Sequence, residues 1–412
     1  MESKTQKRVF KNIGVLTGGG DSSGMNAAVR AVTRSAIARG VNVIGIKMAY
    51  RGLIDNITEQ LTPISVSNII NRGGTFIYSD RCKEFNSPEG VKRAVEICGK
   101  LGIDGIVAIG GDGTFRGARD LTHSGIPCIG IPATIDNDIT ASDYSIGFDT
   151  ALNTVIAVAD RLHDTCESHG RCNIIEIMGR GSGYLALYSG IACGATEIIT
   201  NEFLPKKADD SVTDPNARSL DEEHAKALLD KMLKSRQLGK RSFLIMVAEN
   251  MLPVKTTIQE TGVVADGRKF PVSVVKLVSY GEALCEYLNK QMELMNSGKS
   301  IIETKFMRPS HIQRGGVPTF RDRAISSLMG DKAIDLLMLG KSNLVVCMRK
   351  DEITSMDIDF ALEVDRLFKG KTTIEALEKD FSADDIEKMK AIVEEKRASF
   401  YDIYDVNRTI SL

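Results

Sequence analysis

Three times before residue 140 this chain runs a short apolar stretch straight into a glycine-rich or polar turn. Residues 13–16 lead into Thr17-Gly18-Gly19-Gly20-Asp21-Ser22-Ser23-Gly24, and residues 106–109 into Gly110-Gly111-Asp112-Gly113-Thr114. Residues 126–131 lead into Pro132-Ala133-Thr134-Ile135-Asp136-Asn137-Asp138. Short β-branched runs separated by stretches of helical periodicity predict buried parallel strands with crossover helices. One parallel sheet would bring all three turns to its carboxyl edge, where open α/β sheets bind ligands.

The third turn is the chemically richest. Pro132 has no N–H to donate, so it is expected to end ladder pairing. Behind it stand two carboxylates two residues apart, with a hydroxyl and an amide. Asp136 suits a general base that takes a proton from a substrate hydroxyl. The same residues also suit an Asx-type turn in which both aspartates only satisfy backbone N–H groups. The first turn, followed by a helix from about Met25 that carries Val29, Val32, Ala36 and Ile37 on one face, reads as an anion cradle. It lacks the Gly-Lys-Ser/Thr of a P-loop and the G-x-G-x-x-G of a dinucleotide fold. In the second turn glycine N–H groups can hold phosphate oxygens while Asp112 holds a Mg²⁺ that bridges them; as a bland alternative, Asp112 caps the helix. Arg72 and Arg81 sit in a polar loop, solvated or recruited as phosphate ligands.

Size and composition set the frame. A chain of 412 residues exceeds one ordinary core, so two domains are expected. With 26% charged residues and a net charge of −1, no bulk field favours nucleic acid, and any anion site must be local. No apolar run reaches membrane-spanning length, and residues 1–11 are too polar for a signal peptide. The 8 cysteines form no C-x-x-C and no metal-ligand spacing, which fits reduced thiols in a cytoplasmic enzyme.

A second run of strand–loop units follows a helix expected from Phe148 to about Leu162. Residues 173–177 lead into Met178-Gly179-Arg180, residues 243–247 into Ala248-Glu249, and later comes Ser310-His311-Ile312-Gln313-Arg314-Gly315-Gly316. Arg171, Arg180, Glu249, Lys305, His311 and Arg314 thereby reach loop positions. Cations for a phosphate and a carboxylate for sugar hydroxyls suit a phosphorylated, hydroxylated ligand; singly, each also reads as an ordinary surface charge or loop histidine.

In order, the quoted motifs are T-G-G-G-D-x-x-G-M-N-A at Thr17, I-N-R-G-G-T at Ile70, G-G-D-G-T at Gly110, P-A-T-I-D-N-D at Pro132, M-G-R at Met178, H-I-Q-R-G-G at His311 and F-K-G at Phe368. Over about residues 11–378 the chain resembles the 6-phosphofructokinase family, phosphofructokinase A type, and most resembles its ATP-dependent members. The resemblance implies two similar three-layer α/β domains with mainly parallel sheets and an active site in the cleft between them. Residues 1–146 with about 312–362 would bind the donor, ATP with Mg²⁺. Residues 147–311 with about 363–378 would bind the sugar phosphate, and 379–412 would form a C-terminal helical extension. The implied reaction transfers a phosphoryl group from ATP to the 1-hydroxyl of fructose 6-phosphate, the committed step of glycolysis.

Carried over by position, Asp136, Arg180 and Thr134 would be catalytic, and Asp112 would be the metal ligand. Gly20, Arg81, Cys82, Gly111, Asp112, Gly113 and Thr114 would line the donor site. Thr134, Ile135, Asp136, Arg171, Met178, Gly179, Arg180, Glu249, Lys305, His311 and Arg314 would hold the sugar phosphate. Arg171 and Lys305 match positions that reach a neighbouring subunit's site, which implies a homo-oligomer, dimer or tetramer. Lys305 stands where the family usually has Arg, so it lacks the bidentate fork. Pyrophosphate users of the family typically have Asp at the position of Gly113 and Lys at that of Ala133. An Asp side chain there would collide with and repel an ATP α-phosphate, so Gly113 favours ATP. Arg30 and Arg34 match two arginines of the bacterial effector site, whereas Pro63 and His163 stand where two more are usual, so effector control is expected to be weak or altered.

Other readings stay open. Pyrophosphate as donor is the main alternative. A lipid or NAD kinase would explain G-G-D-G-T but leave T-I-D-N-D and H-I-Q-R-G-G unexplained. A non-catalytic sugar-phosphate sensor would be signalled by loss of Asp136 or Asp112, and both are present. The residues outside the motifs predict a surface loop over 206–223, a polar loop over 261–269, a helix over 282–295, and a last helix over 382–400 capped by Ser382 with Ile386, Met389, Ile392 and Val393 on one face.

Overall fold

Gly105–Gly110 is buried at every position, as a continuous apolar run inside a parallel sheet must be. It is the middle strand of a seven-stranded sheet in the computed structural model, which describes residues 10–203, 219–251, 253–263 and 269–411. The chain divides into two compact units, Met1–Ala151 with Ile312–Tyr401, and Leu152–His311 with Asp402–Leu412.

In the first unit the strands lie in the order Glu352–Asp357, Leu344–Arg349, Cys128–Pro132, Gly105–Gly110, Asn12–Thr17, Asn42–Ile46, Thr58–Leu61. The five inner strands are parallel and both edge strands antiparallel. From Asn12–Thr17 the chain first builds outward to Asn42–Ile46 and then returns to lay Gly105–Gly110 on the other side. That reversal is the switch point where α/β sheets open a crevice. The register Thr17↔Ile109 puts the first two glycine turns side by side at it. The third leaves the next strand over, where Ile109 pairs with Ile131.

One face of this sheet packs on a core that includes Leu16, Ile106, Phe115 and Val345, with Tyr50 stacked on Phe85. The helices are set by local chemistry. Ser87 caps Pro88–Leu101 by accepting from Gly90 N, with Pro at the first turn and Gly102 closing the end at φ 64°. Thr319 caps Phe320–Met338 in the same way.

The second unit carries a four-stranded parallel sheet, Thr304–Met307, Cys172–Ile177, Phe243–Ala248, Glu197–Ile199. Cys172, Ile174, Phe243 and Ile245 pack against helices Glu222–Gln237 and Tyr280–Met295. Ser279 and Glu282 form a reciprocal capping box at the start of the latter.

Several local expectations are corrected. Ladder pairing runs through Pro132 opposite Gly110, because the donor there is Ala133, whose N–H reaches Gly110 O at 3.0 Å, and no Pro132 N–H is needed. The helix from Phe148 continues to His169. The polar loop expected over 261–269 is narrower at its edges: Thr261, Gly262, Val263 and Lys269 belong to strands Val254–Val263 and Lys269–Val278, which pair antiparallel, and 264–268 lie outside the described residues. The surface loop expected over 206–223 lies outside the described residues up to 218, and Glu222 already opens a helix capped by Asp221. Residues 363–378 group with the first unit. The last helix runs Ala383–Ile410, ten residues beyond the expected end at Phe400, with Ser382 accepting from Asp385 N. Its Ile386, Met389 and Val393 pack on Val364 and Leu377 of the first unit. Its final residues group with the second unit, where Tyr404 stacks on Phe203. Among the described residues no helix is long and apolar enough to cross a membrane. All eight cysteines are free thiols.

Candidate active site

The first unit assembles its polar residues around the two adjacent glycine turns. Gly18 N donates to Ile109 O at 2.8 Å. A Cβ on Gly18 would lie 2.6 Å from Thr114 Oγ1, and one on Gly110 would lie 2.5 Å from Gly18 O. The turns can therefore touch backbone to backbone only as glycine, with the buried Thr114 hydroxyl wedged between them. Gly20 is under a different constraint: a Cβ there would meet Arg314 Nη1 at 2.6 Å. Arg314, expected at the sugar phosphate, lies across this turn and donates to Asp21 O at 3.3 Å.

Gly111 precedes helix Asp112–His123 without a side-chain cap, so Asp112 opens the first helical turn rather than capping it. A Cβ on Gly111 or Gly113 would meet nothing within 4 Å, which leaves open space over this positive helix end. The loop that carries Arg81 and Cys82 is tied over the first turn. Ser79 Oγ donates to Gly19 O at 2.7 Å, and Thr17 Oγ1 donates to Tyr78 O at 2.9 Å. Arg81 is exposed, and Cys82 packs against the core. Asn26, which sequence reasoning passed over, bonds three backbone groups of the R-G-G-T loop, Arg72 O, Gly73 O and Phe76 N.

Asp136 is 4% exposed, and its N–H donates to Thr134 Oγ1 at 3.3 Å. The turn is held from behind. Asn137, at φ 48°, donates to Asp143 O and accepts from Ser145 N, and Ser145 Oγ donates to Thr134 O at 2.6 Å. The Asp138 carboxylate does not satisfy a backbone N–H as in an Asx-type turn; it accepts from Lys369 Nζ at 2.9 Å. Ile135 is fully buried.

Lys369 is the largest omission of the sequence reading, which noted F-K-G without giving it a role. Its Nζ lies 2.8 Å from Asp365 Oδ2, 2.9 Å from Asp138 Oδ2 and 3.3 Å from Asp112 Oδ2. Burial alone would lower the ammonium's pKa, but Asp138, Asp112 and Asp365 raise it above its ordinary value. Burial, with the Asp112 charge, pushes the Asp365 carboxyl up to about 7 against the opposing pull of Lys369. Two carboxylates from neighbouring strand ends thus face one cation. Among the described residues no group of three or more His, Cys, Asp or Glu is arranged to hold a metal by itself. A pair of carboxylates is the donor set of a Mg²⁺ that completes its shell with water and phosphate oxygens.

The second unit holds the other predicted residues in two groups. Glu249 Oε1 accepts from Gly179 N at 3.1 Å and from Arg180 N at 2.9 Å, so one carboxylate oxygen shapes the M-G-R turn and lets Arg180 sit at φ 52°. Met178 points into the core, while the Arg180 side chain is exposed. Arg171 and Lys305 share one carboxylate: Arg171 Nε lies 2.6 Å from Glu303 Oε2, and Lys305 Nζ contacts Oε1. His311 is exposed, with Nδ1 3.2 Å from Ser310 Oγ. An ion pair that sequence reasoning missed supports this sheet, the exposed Arg308 Nε to the buried Glu176 Oε1 at 2.6 Å. Of the effector-type positions, Arg34 donates to Pro63 O at 3.1 Å, and His163 Nε2 lies 3.1 Å from Ser242 Oγ.

This arrangement has counterparts. The phosphofructokinase family model matches residues 12–337. A relative from Alkaliphilus metalliredigens (strain QYMF), named ATP-dependent 6-phosphofructokinase, is 42% identical over 88% of this chain and 97% of its own length. One of the same name from Shouchella clausii (strain KSM-K16) is 40% identical over 86% of this chain and 94% of its own. Among solved structures, phosphofructokinase from Saccharomyces cerevisiae superposes with a TM-score of 0.73 at 25% identity, covering 96% of this chain, which spans 50% of that one. With its motifs, its two α/β units and relatives of this identity along nearly its whole length, the chain belongs to the phosphofructokinase family.

Proposed function

We propose that this chain transfers the terminal phosphoryl group of ATP to the 1-hydroxyl of fructose 6-phosphate, giving fructose 1,6-bisphosphate and ADP. The observation that carries this reading is the convergence of Asp112 and Asp138 on one cation beside the open glycine turns, in a chain 42% identical to a relative named for that activity. The first unit is the donor half. Backbone N–H groups of Gly20, Gly111 and Gly113, with Arg81, Cys82 and Thr114, would receive the nucleotide. Asp112 and Asp138 would hold Mg²⁺, which when bound neutralises charge on the phosphate oxygens.

Asp136 is the base. It takes the proton of the 1-hydroxyl as that oxygen bonds to the γ-phosphorus, and the bond from phosphorus to the ADP oxygen breaks. The Thr134 hydroxyl, bonded to the Asp136 N–H, fixes the loop that aims the carboxylate. The second unit is the acceptor half. Arg180, His311 and Arg314 are each assigned to the sugar phosphate as sources of positive charge and hydrogen bonds, and Glu249 holds the Met178–Gly179–Arg180 turn in place. Arg171 and Lys305, gathered on Glu303, are assigned to the 6-phosphate of a neighbouring subunit's site in a homo-oligomer. Action on soluble metabolites suits a cytoplasmic enzyme.

The test is initial-rate formation of fructose 1,6-bisphosphate from fructose 6-phosphate and Mg²⁺ with either ATP or pyrophosphate. Turnover with ATP alone is the expected result. Turnover with pyrophosphate alone would sink the donor assignment, and turnover with neither would sink the reaction.

A further inference from the structure

Lys369 stands where two strand-end carboxylates would otherwise face each other unscreened. An ammonium has three N–H donors, and each one here has a carboxylate, Asp112, Asp138 or Asp365. The cluster is largely withdrawn from water: the Lys369 side chain is 21% exposed and that of Asp365 6%. Charges so placed interact more strongly than at an open surface.

The ammonium is also anchored from behind. Asp365 Oδ1 accepts from Thr140 Oγ1 at 2.8 Å, and the Lys369 N–H donates to Asp365 O at 3.0 Å. The preceding residue is clamped by the C-terminal helix, since Arg397 Nη2 donates to Phe368 O at 3.3 Å and its guanidinium lies 5.7 Å from the Phe368 ring centre. Lys369 is therefore built into a fixed place, although nothing in the phosphoryl-transfer step assigned above requires it.

We propose that Lys369 is a positioning residue for phosphoryl transfer: its ammonium draws Asp112 and Asp138 together and holds the pair in the nucleotide-free enzyme. The proposal rests on the reading of Asp112 as a metal carboxylate. Its consequence is a pair of opposite effects. With the ammonium present, a free divalent cation meets a site whose negative charge is partly neutralised and whose carboxylate oxygens are already engaged, so it binds weakly without nucleotide. With the ammonium removed, the site gains net negative charge and binds a free cation more tightly, while the carboxylates lose the spacing that suits turnover.

Lys369→Met separates these effects, because it keeps the aliphatic stem and deletes the charge. Mn²⁺ binding to the nucleotide-free protein, read by electron paramagnetic resonance, is expected to tighten at least tenfold. In the same variant kcat is expected to fall at least tenfold, with KM for fructose 6-phosphate within about twofold of wild type. Lys369→Arg, which keeps the charge, is expected to bind Mn²⁺ as weakly as wild type does. Lys369→Gln gives the same two readouts should the methionine variant fail to fold. Unchanged Mn²⁺ affinity in the neutral variants overturns the proposal, and so does an unchanged kcat in a wild-type background that turns over. The Mn²⁺ measurement needs no activity. Tightened binding in a protein that never phosphorylates fructose 6-phosphate would leave Lys369 as the guard of a cation site and remove the proposed reaction instead.

Discussion

Lys396 Nζ donates a hydrogen bond to the backbone carbonyl of Ser142 at 3.1 Å, which fixes the C-terminal helix to the segment just past Asp136-Asn137-Asp138. Its neighbour Glu395 accepts from Arg349, which also pairs with Asp143 at 3.3 Å. Three consecutive residues of that helix, Glu395, Lys396 and Arg397, thus reach the backbone or side chains that flank the carboxylate cluster.

Lys396 is 8% exposed, and burial lowers its pKa to about 8. The folded value lies below that of the unfolded chain, near 10.4. Between these two values the unfolded chain binds more protons, so stability rises with pH across that window, and below pH 8 the folded protein bears the full cost of a buried charge. That cost is about 3 kcal/mol for a shift of this size. Lys396→Met is therefore expected to gain relative to wild type at pH 7. Urea unfolding at pH 7 and pH 9.5 should show the wild type recovering about 2 kcal/mol relative to the variant at the higher pH. A pH-independent difference between the two would contradict the assignment.

Asp322 is fully buried and accepts from Tyr144 Oη, Gly147 N, Thr150 N and Thr150 Oγ1 at 2.5–2.9 Å. Burial raises its pKa, against the opposing pull of these four bonds. Asp322→Ala strands four donors in a dry site, and each unsatisfied donor costs ~1–3 kcal/mol before relaxation. A loss of about 3–5 kcal/mol in denaturant unfolding is expected, which is the upper range for a single substitution. A loss under ~1 kcal/mol would show that the segment from Tyr144 to Thr150 finds other acceptors.

What the sequence made legible was local. Buried strands announce themselves by runs such as Ile106 to Ile109, and the turns after them by glycines that a close backbone approach requires, so both the parallel sheet and the glycine turns could be placed. Long-range side-chain pairing has no such signature. Lys369 and Asp112 are 257 residues apart, and Tyr144 and Asp322 are 178 apart, so neither partnership could be read from spacing. Glu249 was assigned to sugar hydroxyls because a loop carboxylate suggests that role, and its bonds to Gly179 N and Arg180 N show only once the strands Cys172–Ile177 and Phe243–Ala248 are paired. The bounds of the loop expected over 261–269 were set too wide for a different reason. Gly262, Asp266, Gly267, Arg268 and Lys269 gave that stretch the composition of a loop, whereas Thr261, Gly262, Val263 and Lys269 pair as strand ends.

Gly113 bears on donor choice because space over it is open and its position is exposed. Gly113→Asp places a carboxylate in the first turn of Asp112–His123, where a helix welcomes negative charge, so unfolding free energy should change by less than about 1 kcal/mol. The same carboxylate would oppose an incoming nucleotide phosphate. KM for ATP is expected to rise at least tenfold while KM for fructose 6-phosphate stays within about threefold. Steady-state rates with each substrate varied check both, and an unchanged KM for ATP would remove Gly113 from the donor argument.

Asp136 offers the most direct test of the chemistry. Its side chain is nearly buried, its own N–H is held by Thr134 Oγ1, and Asn137 and Ser145 brace the turn independently of its carboxylate. Asp136→Asn preserves the size of the side chain and leaves those braces in place, so the fold and the affinity for both substrates should persist. What it removes is the capacity to accept the proton of the attacking hydroxyl, a contribution of about 10²–10⁴ in rate. The expected outcome is a fall in kcat within that range, with KM for fructose 6-phosphate within about threefold and an unfolding midpoint close to wild type. Quenched-flow measurement of the first turnover separates the chemical step from product release. If that first turnover stays within a few-fold of the wild-type rate, proton removal is not the task of Asp136, and the carboxylate acts by holding the turn.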